Sequence, residues 1–130
     1  MRFGKIVLTL SVSLFLITAR AQEILPGARL MSNYLPLVQG KRVAVVANHT
    51  TLVSSKHLVD TLLSAGVAVK KIFSPEHGFR GDIEAGELIG NYTDKVTGLP
   101  VISLYGGSKK PKPADLSDVD VVIFDLQDCL

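Results

Sequence analysis

The sequence predicts an α/β domain in which a parallel sheet is the middle of three layers. Four short apolar runs carry this prediction, and they cover residues 43–47, 67–73, 99–105 and 119–125. Continuous apolar runs of this length are typical of strands that are buried on both faces. The helical or long connections between the runs favour parallel pairing, because adjacent parallel strands need a crossover.

The connections contain two candidate helical segments. Residues 28–38 form a short, partly amphipathic segment that we expect Pro36 to interrupt. Between the first two strands, Ser54 or Ser55 is expected to cap a helix that extends to about residue 64. Apolar residues recur on one side of this helix, so it should pack against the sheet.

The end of the chain predicts an incomplete domain. The fourth apolar run is followed by only a few residues, and no helix follows to cover that side of the sheet. We therefore expect a truncated product or a fragment. The fourth strand would leave one face inadequately buried, so residues 22–130 alone should be poorly soluble and inactive.

The N-terminus has the order of charge and hydropathy that is typical of a secretory signal peptide. A short cationic segment precedes an apolar run over residues 6–17, and Ala19 and Ala21 supply the small residues of a cleavage site before Gln22. About 12 apolar residues are too few to span a membrane, which needs about 20. Residues 1–21 should therefore be removed, leaving a periplasmic or secreted bacterial product with no stable membrane anchor.

Composition excludes several classes of protein. Three of the 14 Lys and Arg residues lie in the predicted signal peptide, so the remainder, with 12 Asp and Glu, is nearly neutral. With no Trp and few aromatic residues, a dedicated nucleic-acid-binding protein is not expected. Cys129 is the only cysteine, so no intrachain disulfide is predicted.

Polar residues follow each predicted strand. They occupy residues 48–50, 74–78, 105–107 and 125–128. In open parallel sheets, ligands bind in the crevice outside the carboxyl ends of the strands. The four clusters are therefore expected to converge there.

The densest group of polar residues lies at residues 74–87. Its glycines allow tight turns and close approach to a ligand, and a histidine, an arginine and several carboxylates lie between them. Carboxylates and a histidine near a cation suit acid–base catalysis. The alternative is a solvated loop whose charges pair with one another.

Other chemistry has weaker support. His49 and His77 with Asp125 or Asp128 could ligate Zn or Mn, but they lie on separate loops without a spacing signature. Residues 106–110 lack the spacing of a phosphate-binding loop, and no dinucleotide fingerprint follows the first strand. We therefore expect no metal and no cofactor.

Two motifs resemble one known family. Residues 74–81 read Ser-Pro-Glu-His-Gly-Phe-Arg-Gly, and residues 124–128 read Phe-Asp-Leu-Gln-Asp. In this order the two motifs are similar to those of the exo-β-N-acetylmuramidases, a family long described only as a domain of unknown function. The resemblance spans residues 28–128, about the first third of a typical member.

The resemblance implies a Rossmann-like domain that carries the catalytic carboxylate, of which residues 22–130 are the N-terminal part. A C-terminal ancillary domain, absent here, would complete the cleft. It also implies an exo-acting glycosidase that removes N-acetylmuramic acid from the non-reducing ends of peptidoglycan fragments during cell-wall turnover. Muropeptides would then be its binding partners.

Matching positions imply roles for individual residues. Glu76 is the first choice for the acid/base and Glu87 the second. His77 and Arg80 would orient this carboxyl or meet the anionic lactyl group of the sugar, because the fork of an arginine suits a carboxylate. The floor of the cleft would be lined by Asn48, Asp125, Gln127 and Asp128.

The chain departs from the family after the second motif. The family continues with Val-Gly-x-Arg-x-Tyr-Thr-Tyr, whereas this chain has Cys129 and Leu130. A glycosidase needs two groups spaced about 5–5.5 Å or 6.5–9.5 Å apart around the scissile bond. If one group lies in the missing part, this chain cannot turn over substrate. The alternatives are then a non-catalytic peptidoglycan-binding fragment or, less favoured by the residues, a metal-dependent hydrolase.

Overall fold

The computed structural model describes residues 24–75, 78–81, 90–107 and 109–126, so the predicted signal peptide lies outside the described residues. Short 3₁₀ helices span Gly27–Arg29 and Pro113–Leu116. The helices and strands are α1 Met31–Val38, β1 Arg42–Ala47, β2 Leu52–Val53, β3 Lys56–His57, α2 Leu58–Ser64, β4 Ala68–Ser74, β5 Tyr92–Thr93, β6 Pro100–Ser103 and β7 Val121–Asp125. None of the helices described has the length and apolar character needed to span a membrane.

The sheet confirms the predicted α/β class. Its strand order is β5-β6-β4-β1-β7, and β6, β4, β1 and β7 are mutually parallel. The carboxyl ends of these four strands therefore share one edge, as the polar clusters predict. The strand β5 differs, because it runs antiparallel to β6.

The two faces of the sheet carry separate core clusters. Val43 and Val45 of β1 pack with α2 in the larger cluster, whereas Ala44 and Val46 belong to a smaller cluster with Phe73. Alternation follows from the two-residue period of a strand. All five residues at positions 43–47 are buried, as the continuous apolar run predicts.

A β-bulge in β4 changes this alternation. Val43 pairs with Val69, but the next residue of β1 pairs with Lys71, so Lys70 is an extra residue in the register. As a result Val69 and Ile72, three residues apart, lie in the same core cluster, and Phe73 lies in the other. The bulge therefore sets the face to which the end of β4 belongs.

The second helix begins later than predicted. Ser54 and Ser55 form the turn of the β2–β3 hairpin, and Ser54 has a left-handed φ of 59°. His57 takes the N-cap position instead, accepting a hydrogen bond from the N–H of Val59. The predicted cap is wrong because serine favours turns as well as helix caps, and here the two serines form the hairpin turn.

The first helix and the strand limits differ in smaller ways. Pro36 lies inside α1 rather than interrupting it, since a proline removes a single backbone donor. The third predicted strand shortens to Pro100–Ser103; one more ladder bond follows, from the N–H of Leu104 to the carbonyl of Ser74, and the chain bends at residues 105–107. The two-residue strand β5 was not predicted at all.

The fourth predicted strand, β7, has one exposed apolar face. Val122 and Phe124 are 44% and 71% exposed, and they lie beside Ala44 and Val46 in the register. Val121 and Ile123 pack against the larger core cluster. The prediction that one face of this strand is inadequately buried is confirmed for these two side chains.

The amino end of the sheet is closed by an arginine–aspartate pair. The Nε and Nη2 of Arg42 donate to the two carboxylate oxygens of Asp120 at 3.1 and 2.7 Å, and the backbone N–H of Arg42 donates to the same side chain at 2.8 Å. The N–H of Asp120 donates back to the Arg42 carbonyl. We call these two residues the Arg42 pair, and it joins the start of β1 to the residue before β7.

Candidate functional site

The structure describes three of the predicted site residues: Asn48, Arg80 and Asp125. The others lie outside the described residues, and their assignments stay predictions: Glu76, His77, Glu87, Gln127 and Asp128.

The loop after β1 is held at the carboxyl edge of the sheet. The side-chain carbonyl of Asn48 accepts hydrogen bonds from the N–H and hydroxyl of Thr50, at 3.0 and 2.7 Å. The hydroxyl of Thr51 donates to the backbone carbonyl of Asp125 at 2.6 Å. The residues following β1 and the end of β7 therefore meet at this edge, so Asn48 and Asp125 belong to neighbouring segments.

Asp125 has the electrostatic character of a group that can hold a proton. Its carboxyl is half-buried at the end of β7, and this burial raises the pKa of Asp125 above its ordinary value. Burial disfavours the ionised form of a carboxyl group. The carboxyl of Asp125 is therefore more easily protonated than that of an exposed aspartate.

The segment Gly78–Gly81 packs against the larger core cluster on one face of the sheet. Phe79 is fully buried, and its N–H donates to the hydroxyl of Tyr92 on β5 at 3.1 Å. The rings of Phe79 and His57 pack edge to face, and their centroids are 4.3 Å apart. This segment directly follows Glu76 and His77, so their chain neighbours on that side are anchored.

Arg80 is held by two aspartates. Its Nη1 and Nη2 donate to the carboxylate of Asp60 on α2 at 3.0 and 2.9 Å. Its Nε and Nη2 donate to the carboxylate of Asp94, which follows β5, at 2.7 and 2.9 Å. The guanidinium also lies 4.7 Å from the centre of the Phe79 ring, a cation–π distance. We call Asp60, Arg80 and Asp94 the Arg80 cluster.

Asp94 is the most deeply buried member of the Arg80 cluster. Its carboxylate accepts hydrogen bonds from the N–H and hydroxyl of Thr97 at 2.9 and 2.6 Å, and its side chain is 5% exposed. The hydrogen bonds from Arg80, together with those from Thr97, hold the pKa of Asp94 well below its usual range. Asp94 is therefore a fixed anion that holds both the turn at Thr97 and the side chain of Arg80.

The glycine that ends this segment makes a close contact. Gly81 has a left-handed φ of 74°, and a Cβ at this position would lie 2.9 Å from the Cβ of His49. A side chain there would need both a strained backbone and movement of the neighbouring loop. The segment and the loop after β1 are thus fitted to one another.

His57 is buried and neutral. Its Nδ1 accepts from the N–H of Val59 at 3.2 Å, which places the proton on Nε2, 2.9 Å from the carbonyl of Asn48. Burial lowers the pKa of His57. The side chain therefore caps α2 and fixes the loop that carries Asn48.

A cavity of about 360 Å³ opens beside the Arg80 cluster. His49, Ser55, Lys56 and Asp60 supply polar groups to its wall. At the end of β4, the hydroxyl of Ser74 is buried and has no hydrogen-bond partner among the residues that the structure describes. Within the described ranges, no three His, Cys, Asp or Glu side chains are arranged to hold a metal ion.

Sequence reasoning missed Asp60, Asp94 and His57. The two aspartates lie 20 and 14 residues from Arg80 along the chain, so no local spacing links them to it. The signal that could have found Asp94 is the pattern of Asp94, Thr97 and Gly98, because an aspartate accepting from a residue three positions later is typical of a tight turn.

Comparison with known proteins agrees with the motifs. Residues 43–129 match the family model described as "Exo-beta-N-acetylmuramidase NamZ, N-terminal". The chain is 40% identical over 114 residues to the peptidoglycan beta-N-acetylmuramidase NamZ of Bacillus subtilis (strain 168). That match covers 85% of this chain and 28% of the relative.

Solved structures of the same kind are similar in fold. Crystal structures of two DUF1343 family proteins from Bacteroides fragilis NCTC 9343 each give a TM-score of 0.65, with 41% and 39% identity. The matches cover 78% and 76% of this chain, and 25% and 24% of those chains. The chain thus spans about a quarter of the length of these relatives.

Proposed function

Because this chain belongs to the exo-β-N-acetylmuramidase NamZ family, we propose that it forms the N-terminal part of the active site of a glycoside hydrolase. The reaction is the removal of N-acetylmuramic acid from the non-reducing ends of peptidoglycan fragments. The observation that carries the proposal is the anchored segment Gly78–Gly81, since it follows Glu76 and His77 directly. A fixed backbone beside a catalytic carboxyl is what such a reaction requires.

In this proposal Glu76 is the acid/base, with Glu87 as the second choice. His77 orients the reacting carboxyl or meets the lactyl group. Asn48, Asp125, Gln127 and Asp128 line the floor of the cleft. Asp125 fits this position because it lies at the carboxyl edge of the sheet, next to the loop that carries Asn48, and burial raises the pKa of its carboxyl.

The test of this proposal uses a hybrid protein in which residues 24–126 replace the matching segment of the Bacillus subtilis relative. Glu76→Gln should lower the release of N-acetylmuramic acid from muropeptides by about 10²–10⁴-fold, because it removes a transferable proton at nearly constant shape. Glu87→Gln is the direct comparison, and Asp118→Asn, on the 113–120 segment, is the control that should keep full turnover. If Glu76→Gln is active while Glu87→Gln is dead, the two assignments must be exchanged.

The second candidate function is binding without turnover. It is favoured by the polar edge of the sheet where the residues following β1 meet the end of β7, because such an edge can bind a ligand without a catalytic carboxyl. Incubation of the full chain with muropeptides separates the two functions. Released N-acetylmuramic acid indicates an enzyme, whereas calorimetric binding without release indicates a binding fragment.

We also infer export, with removal of residues 1–21. The support is the order of cationic segment, apolar run and small-residue site in the sequence. N-terminal sequencing of protein recovered from outside the cytoplasm should begin at Gln22. A sequence beginning at Met1 would contradict the inference.

A further inference from the structure

The described residues that flank Glu76 and His77 in the sequence are held by the fold. Ser74, two residues before Glu76, ends β4, and its carbonyl accepts from the N–H of Leu104. On the other side Gly78 and Phe79 are buried. Along the chain, Glu76 is two residues from both Ser74 and Gly78, whereas His77 is three residues from Ser74 and directly precedes Gly78. A chain reaches at most about 3.6 Å per residue, so the held residues on either side limit how far this short segment can extend.

The Arg80 cluster bridges the elements around this segment. Asp60 lies in the first turn of α2, and Asp94 lies in the turn between β5 and β6. Four N–H···O hydrogen bonds from Arg80 to the two carboxylates therefore fix Gly78–Gly81 against two separate elements. Bidentate pairing fixes orientation as well as distance.

The two carboxylates also take up hydrogen-bond donors of the Arg80 guanidinium. A sugar carboxylate would have to compete with Asp60 and Asp94, each of which makes two hydrogen bonds to Arg80 at 3.0 Å or less. Since Arg80 is the only cation in this cluster of two anions, a third anion at the same guanidinium would meet net negative charge. These contacts favour a role in holding the segment over a role in contacting the lactyl group.

We propose that the Arg80 cluster is a positioning element for the reaction, with Asp60 and Asp94 holding Arg80 so that Gly78–Gly81 presents Glu76 and His77 to the substrate. The inference rests on the proposed function. Asp60 and Asp94 are thereby positioning residues that touch no substrate. The functional motif at residues 74–81 then divides into a reacting part, Glu76 and His77, and an anchoring part, Phe79 to Gly81.

The first arm of the test needs no turnover and uses the full chain. Amide hydrogen exchange of Phe79 should quicken at least about tenfold in Asp94→Asn, because the bond to Tyr92 is held by the same segment, while the amide of Val45 in β1 stays protected. Asp120→Asn is the matched control, since Asp120 also holds an arginine through both carboxylate oxygens. Equal exchange at Phe79 in Asp94→Asn and in the unsubstituted chain would overturn the inference.

The second arm measures kinetics in the hybrid protein, well below the melting temperature of each variant. Asp94→Asn and Arg80→Lys should lower kcat by up to about 10²-fold, the effect of a displacement of about 1 Å, with little change in KM. Asp60→Glu should recover more turnover than Asp60→Asn, because it keeps a carboxylate for the arginine. Unchanged kcat in both Asp94→Asn and Arg80→Lys would overturn the inference.

Substrate preference separates positioning from sugar binding. An N-acetylmuramic acid glycoside is compared with the N-acetylglucosamine glycoside, which lacks the lactyl carboxylate. If Arg80 positions the segment, Arg80→Lys lowers both rates by the same factor; if it binds the lactyl group, the preference for the first substrate collapses and the inference fails. A folded hybrid that releases no sugar counts against the proposed function, and the exchange arm then decides the inference alone.

Discussion

Two arginine–aspartate groupings in this chain share the same bidentate geometry but differ in burial. In the Arg42 pair the side chains of Arg42 and Asp120 are 48% and 36% exposed. In the Arg80 cluster the side chains of Arg80, Asp60 and Asp94 are 23%, 20% and 5% exposed. An exposed pair gains little because water solvates its charges almost as well, whereas a buried charge needs its partner.

This difference in burial shows that hydrogen-bond geometry alone does not indicate how much an ion pair contributes to stability. Each grouping joins segments that are distant in the sequence, and each looks equally well formed in its hydrogen bonds. Only the Arg80 cluster surrounds a nearly buried anion, so only there does loss of the arginine leave a carboxylate without compensation. We therefore expect the Arg80 cluster to contribute more than the Arg42 pair to the free energy of unfolding and to the positioning of the motif at residues 74–81.

The largest expected effect comes from removing each arginine in turn. Arg80→Met should lower the free energy of unfolding by about 3 kcal/mol or more, because it strands two carboxylates, one of them nearly buried. Arg42→Met should leave the unfolding midpoint close to that of the unsubstituted chain. Urea unfolding of the full chain, followed by circular dichroism, measures both. Equal losses would show that burial does not distinguish the two groupings.

A second matched pair of substitutions compares glycines near each grouping. Gly81 and Gly40, which lies just before β1, have φ of 74° and 72°, but only Gly81 would place a Cβ against a neighbour, 2.9 Å from His49. Both alanine variants incur about 1–2 kcal/mol for the left-handed backbone. Gly81→Ala should cost about a further 1–3 kcal/mol from crowding. Urea midpoints that coincide for the two variants would argue that the loop of His49 yields freely.

A smaller effect is expected on the pH dependence of the free energy of unfolding. It comes from His57, whose ring packs against Phe79 beside the Arg80 cluster. Burial lowers the pKa of His57 in the folded state, so the unfolded state binds the proton more readily. Stability should be full above about pH 6.5 and should fall as the pH drops toward the folded value. Urea unfolding at pH 7.5 and 5.5 should show this fall in the unsubstituted chain.

Two variants test the source of that pH dependence. His57→Asn keeps a capping side chain and should remove the fall between pH 7.5 and 5.5, whereas Arg42→Met should retain it. A separate loss below about pH 4 is expected from Asp94 and Asp60, because Arg80 holds the pKa of each below its ordinary value. Retention of the first fall in His57→Asn would assign it to another group.

The parallel sheet could be predicted because its evidence is local. The run at residues 43–47 is apolar throughout, and burial on both faces is the direct reason for such a run. The strand β5 could not be predicted, since two residues carry no periodicity. The late start of α2 was hidden because Ser54 and Ser55 suit a turn as well as they suit a helix cap.

The candidate site was predictable in its motif and not in its contacts. Glu76, His77 and Arg80 stand together in the sequence, so their chemistry could be considered together. The partners of Arg80 come from α2 and from the turn after β5, and only the fold brings them to it. An arginine in a motif therefore indicates that a carboxylate lies nearby, but the sequence does not say whether that carboxylate belongs to the ligand or to the protein.

The bulge in β4 has a consequence for the phase in which the chain leaves the sheet. If β4 continued without the bulge, with Lys70 paired to Ala44, every later position would exchange faces, so that Phe73 would move to the larger core cluster and Ile72 to the smaller. The chain would then leave β4 at Pro75 rotated by half a turn about the strand axis. The bulge, which lies away from the motif at residues 74–81, thus determines the face of the sheet toward which the chain turns after β4.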